Sequence, residues 1–142
     1  MKNIILMVVL AGLLLSASTC FAQELTDWER EVYYDYLEEY YTSPFPRDEV
    51  YIDEVIASRH GISVDRLVDI LDKGIDREPT QREWGIHEEL WDQLAALGNN
   101  VSVDDYTRVY QRVAGKYGIT LRQLYEIEYR TFSWAMGGWQ PD

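Results

Sequence analysis

The sequence predicts an all-α fold, a single domain of about six helices, and three observations carry that expectation. Apolar residues recur at the helical period along the chain beyond the N-terminal segment, with no sustained strand-type alternation. Hydroxyl residues stand where helices need N-caps, and three of them, Thr26, Thr80 and Thr120, have Glu29, Glu83 and Gln123 in the capping-box position. A patterned stretch in the middle of the chain also recurs near its end.

Taken in order, the first helix follows Thr26 and runs to about Tyr41, where Ser43-Pro44-Phe45-Pro46 breaks it. The second starts near Asp48 and stops at Gly61; the third runs from Ser63 to about Lys73 and ends at Gly74. The fourth begins at Thr80 and ends at Gly98-Asn99-Asn100. The fifth runs from Ser102 to Tyr117, stopping at Gly118, and the sixth runs from Thr120 to before Gly137-Gly138.

Ala57-Ser58-Arg59-His60-Gly61-Ile62-Ser63-Val64, with Leu67 and Ile70 beyond it, recurs 57 residues later as Ala114-Gly115-Lys116-Tyr117-Gly118-Ile119-Thr120-Leu121, with Leu124 and Ile127. Small helix residue, turn glycine, hydroxyl cap and apolar anchors all agree in type. The first and fourth helices superpose at an offset of 58, which sets Trp28 on Ile86, Val32 on Leu90, Tyr33 on Trp91 and Tyr36 on Leu94. The expected organisation is two tandem three-helix units, 26–76 and 80–134, packed around one core, with an aromatic and Gly-rich tail at 135–142.

The N-terminus predicts export. Met1-Lys2, an apolar run from Ile4 to Leu15 and small residues up to Ala22 have the grammar of a cleavable secretory signal peptide. The run is shorter than the roughly 20 apolar residues of a transmembrane helix. Residues 1–22 are therefore expected to be the signal and 23–142 the mature helical domain, acting in the periplasm or outside the cell. Cys20 raises the alternative of a lipid-anchored chain. Ala17-Ser18-Thr19 lacks the large aliphatic residue that such processing uses, so cleavage after Ala22 is the expectation. The sequence holds a single Cys, and it falls in the removed segment, so packing rather than disulfides must hold the domain together.

Formal charge is −12, and loss of Lys2 with the signal makes it −13. Such a surface repels phosphate backbones and anionic headgroups, which leaves basic proteins, cations and neutral ligands as partners. No nucleic acid is expected as a partner, and no membrane unless Cys20 is lipidated.

Each copy of the repeat spaces its Ala, turn Gly and apolar anchors as a helix-turn-helix does, and over about twenty residues resembles the DNA-binding helix-turn-helix families. The resemblance implies a second helix lying in a major groove. Its residues are wrong for that in the first copy, where Asp65, Asp69 and Asp72 outnumber Arg66. The second copy, with Arg122 and Gln123 and with Arg108, Arg112 and Lys116 nearby, is the better reader, but export removes its target. Tyr117-Gly118-Ile119-Thr120 with Leu124 is similar to the central helical part of LysM glycan-binding modules, which implies a cell-wall glycan ligand. The flanking strands of those modules are absent from the sequence.

Catalytic chemistry is sparse, and no catalytic residue, cofactor or metal site is expected. His60 and His87 are the only histidines. His60 stands where the second copy has Tyr117, and packing before the turn accounts for it. His87-Glu88-Glu89 opens like a zincin motif, but Trp91 occupies the position of the second His. Glu38-Glu39, or Asp48-Glu49 with Asp53-Glu54, supply carboxylate pairs of the kind glycosidases use, and equally suit solvated helix faces.

The unusual feature is aromatic. On a helical wheel the fifth helix confines its apolar side chains to about 140°, whereas Trp28, Val32, Tyr33, Tyr34, Tyr36, Leu37, Tyr40 and Tyr41 of the first spread over about 240°. Either that helix is central and wrapped by the others, or part of the arc faces a partner. On the second reading Tyr34 and Tyr41, with Trp134 and Trp139 of the tail, form a partner surface rimmed by acid. The expected function is then an exported acidic binding protein acting through protein contacts, as inhibitor, immunity-type factor, adaptor or self-associating module, with a basic protein or a second copy of itself as partner. A small carboxylate-based enzyme or binder acting on peptidoglycan or another glycan is the alternative.

Overall fold

The computed structural model describes residues 24–44, 47–98 and 101–137. The proposed signal peptide, the Phe45-Pro46 and Asn99-Asn100 steps and Trp139 lie outside the described residues. Among the described residues the secondary structure is six helices: α1 Asp27–Thr42, α2 Glu49–His60, α3 Val64–Ile75, α4 Gln81–Ala95, α5 Val103–Tyr117 and α6 Leu121–Ala135. No helix among them is long and apolar enough to cross a membrane.

Capping sets the helix starts. Thr26, Thr80 and Thr120 close capping boxes with Glu29, Glu83 and Gln123, and Ser102 closes a fourth with Asp105. Two helices end alike. Gly61 and Gly118 adopt left-handed φ of 65° and 64°, and the next residues, Ile62 and Ile119, donate their N–H groups back to Ala57 and Ala114. That shared stop turns α3 across α2 and α6 across α5.

Gly74 does not end its helix; α3 continues to Ile75. The reason is packing, because a Cβ on Gly74 would overlap the Tyr33 ring of α1. Absence of a side chain here serves close approach of two helices rather than a turn.

One cluster of buried side chains draws on all six helices, among them Val32 and Leu37, Ile52 and Ile56, Leu67 and Ile70, Ile86 and Leu90, Val109 and Val113, and Leu124. Helix α1 packs against α2, α3 and α6, so it is the wrapped, central element that its wide aromatic arc allowed for. Each unit packs in the same way, first helix on second and third, second on third, and α3 meets α6 between them. This arrangement is consistent with two tandem three-helix units. The match is incomplete: α1 lies along α6, whereas α4 has no comparable contact with α3.

The contacts also correct the register of the first and fourth helices, from 58 to 54. At 54 the capping-box acids Glu29 and Glu83 coincide, and each is bound by the same position of its third helix, Lys73 and Arg130. Asp35, which binds His60 and Arg59, falls on Glu89, which binds Tyr117 and Lys116. Val32 and Tyr36 then fall on Ile86 and Leu90, all four buried, whereas the offset of 58 pairs exposed Trp28 with buried Ile86. Four residues is about one helical turn, so both registers keep the apolar face and periodicity alone does not separate them.

Candidate binding cleft

The corrected register exposes a difference in chemistry. In the first unit Tyr33 of α1 covers Gly74 of α3, and Leu37 and Leu71 join the apolar cluster beside them. The equivalent positions of the second unit are His87, Thr131, Trp91 and Glu128. Those four are joined by hydrogen bonds: His87 Nδ1 lies 2.7 Å from Glu128 Oε2 and 2.9 Å from Thr131 Oγ1, and Trp91 Nε1 donates to Glu128 Oε1 at 2.9 Å. Thr131 Oγ1 donates to the Ile127 carbonyl, so its oxygen accepts from the ring, which places the imidazole proton on Nδ1.

Glu128 is 3 % exposed and Thr131 fully buried, while Trp91 stands 45 % exposed. A buried carboxylate is tolerated only when hydrogen-bonded, and here each oxygen has a donor. The cluster borders a cleft of about 650 Å³ between α1, α4, α5 and α6. Its walls are Tyr36, Tyr40 and Tyr41 from α1, Trp91 from α4, Tyr106 and Tyr110 from α5, and Tyr129, Phe132 and Met136 from α6 or just beyond it. Polar lining comes from Arg47, Glu49, Ser133 and Glu128. Phe132 and Met136 are 43 % and 71 % exposed.

Ring contacts hold the walls. Tyr41 stacks on Tyr125 with centroids 4.9 Å apart and planes 8° from parallel, and Tyr129 meets Tyr36 and Tyr40 edge-on. Arg47 carries its guanidinium 4.6 Å from the Tyr40 centroid and 5.3 Å from that of Tyr41. Burial, and after it the negative charge of Glu128, push the Tyr41 and Tyr110 phenols well above the ordinary tyrosine value.

Of Tyr34, Tyr41 and Trp134, the described side chains expected to form a partner surface, only Tyr41 lines this cleft, and it does so as a packed wall. Tyr34 lies elsewhere, donating to Glu126 Oε2 at 3.1 Å, and Trp134 donates its indole N–H to the Ile75 carbonyl at 3.0 Å. Both are partly buried. Sequence reasoning weighed His87 only as an incomplete metal motif and passed over Glu128 and Thr131; the equivalence of the three to Tyr33, Leu71 and Gly74 would have marked them. His60 is bound to Asp35 Oδ2 at 2.9 Å, and so acts as a polar clamp between α2 and α1.

The cluster does not have the geometry of a nucleophile relay. A nucleophile–histidine–acid relay needs hydroxyl and carboxylate on opposite ring nitrogens, whereas Thr131 and Glu128 share Nδ1 of His87. Among the described residues no three His, Cys, Asp or Glu side chains converge to hold a metal. Comparison with known proteins adds nothing to this picture: no family model matches the chain, and no curated protein or solved structure matches it.

Proposed function

We propose that this is an exported binding protein that works through non-covalent protein contacts, and that the aromatic cleft is where it binds. One observation carries the proposal: at equivalent places the first unit packs Tyr33, Leu37, Leu71 and Gly74, and the second substitutes a hydrogen-bonded His, Trp, Glu and Thr set beside an open aromatic cleft. Core chemistry abandoned at one place in a fold, next to a cavity, is where function is to be sought. Export comes from the N-terminal grammar and the acidic balance suits a basic partner.

The test is affinity capture from envelope extract with the protein and with the variant Phe132→Ala plus Met136→Ala. Both residues are exposed, so circular dichroism and melting should hold while captured protein falls at least fivefold. Capture that is indifferent to the variant would remove the cleft from the binding surface. A glycan ligand is the second reading, because two carboxylate side chains, Glu49 and Glu128, line the same cleft and a pair of acids is what glycoside chemistry requires. Release of soluble fragments from peptidoglycan, lost in Glu128→Gln, would favour it; no release removes it.

A further inference from the structure

The cleft's chemistry narrows what fills it, on the reading that it is the binding site. Its walls are aromatic faces and a thioether, and its buried polar anchor is the Glu128 carboxylate. Each Glu128 oxygen accepts one hydrogen bond, from Trp91 or His87, and retains a second lone pair. Neither donor is a fixed cation. The other charges lining the cleft, Arg47 and Glu49, offset one another formally, so Glu128 is the charge a ligand meets. The ring faces already hold one cation, since the Arg47 guanidinium lies over Tyr40 and Tyr41. Across the whole chain the formal charge of −12 draws cations towards the surface.

Size and rim indicate how such a cation arrives. About 650 Å³ holds one long side chain and its immediate neighbours rather than a helix. Trp91, Phe132 and Met136 stand substantially exposed and line the cleft, more apolar rim than a small free amine would cover. An anchor residue in a pocket with an apolar surround that excludes water is the form of an interface hot spot.

We propose that the cleft receives a Lys or Arg side chain of a protein partner, with its alkyl stem between the aromatic walls and its charged end at Glu128. The charged end replaces its water shell with ring faces and a carboxylate, while the residues flanking it cover the rim.

Calorimetric titration with Ac-Leu-Arg-Leu-NH2, Ac-Leu-Lys-Leu-NH2 and the citrulline counterpart tests this, citrulline having the shape of Arg without its charge. The basic peptides should bind at least tenfold more tightly than the citrulline peptide, and Glu128→Gln should abolish that preference. Should Glu128→Gln fail to fold, Phe132→Ala keeps the test open and is expected to weaken the basic peptides several-fold with helicity unchanged. Equal binding of Arg and citrulline peptides, or no binding of either, overturns the assignment. Agmatine binding as tightly as the Arg peptide overturns the protein source and leaves a free cation. Envelope capture that depends on Phe132 and Met136, together with no discrimination by charge, would leave the cleft as binding site and remove only its cationic ligand.

Discussion

The two halves of the molecule share a frame and differ at one patch of it. Where α1 crosses α3, Tyr33 closes over Gly74 so tightly that no side chain fits, and Leu37 and Leu71 complete an apolar contact. Where α4 crosses α6, the same places hold His87, Thr131, Trp91 and Glu128, tied by directed hydrogen bonds and open on one side. Around both patches supporting ion pairs recur, Glu29 with Lys73 as Glu83 with Arg130, and Asp35 with Arg59 as Glu89 with Lys116. The first unit shows what the fold needs for stability at these positions, and the second therefore shows what it can give up.

Importing the second unit's residue into the first should be the most damaging change. Gly74→Thr forces a side chain into the Tyr33 ring and should cost about 3 kcal/mol, read as the shift of a urea unfolding midpoint. The reciprocal Thr131→Gly, which loses a hydroxyl and places glycine within a helix, should cost about half as much.

Next in size is the acid limb of stability, where the units should behave alike. Hydrogen bonds from Lys73 and from the Thr26 N–H, against burial, hold Glu29 at about 2. Glu83 is also at about 2, burial working to raise it while Arg77, the Thr80 N–H and hydroxyl, and Arg130 bring it down. Both folded values lie below the unfolded one, so the stabilisation is present above about pH 4.5 and is lost as pH falls towards 2. Each carboxylate should contribute on the order of 2 kcal/mol, and Lys73→Met should flatten this limb in unfolding experiments between pH 5 and 2.

Leu37→Ala, at a position 1 % exposed, should cost about 2 kcal/mol, whereas Trp91→Ala at the equivalent and 45 % exposed position should cost about 1 kcal/mol while weakening ligand capture. Equal losses at the two sites would erase the contrast between packing and binding. The smallest effect is expected from Glu128→Gln, within about 1 kcal/mol of the parent in thermal melts, since an amide keeps an acceptor for one of the two donors. A loss several times larger would make Glu128 a structural residue and not a recognition one.

Much of the frame could be read from residues. Thr26, Thr80 and Thr120 announce their helices because each hydroxyl and its box partner act within one turn, and Gly61 and Gly118 announce their stops for the same local reason. Gly74 reads falsely as a stop, because the Tyr33 ring that requires it comes from another helix. The cleft was hidden by the slip of one helical turn: aligned at 58, His87 falls opposite Glu29 and its substitution for Tyr33 is invisible. Tyr41 illustrates the limit of a helical wheel, which places it at the edge of an arc and says nothing of the Tyr125 ring stacked on it.

The capping-box acids couple events that most helices keep apart. Glu29 and Glu83 each accept the N-cap N–H of their own helix and, with the same carboxylate, bases from outside that helix, Arg66 and Lys73 for one and Arg77 and Arg130 for the other. Helix ends ordinarily fray ahead of global unfolding. Here the first turns of α1 and α4 cannot open without also releasing α3 and α6, so their leading amides should exchange with solvent by whole-domain unfolding, at rates set by global stability.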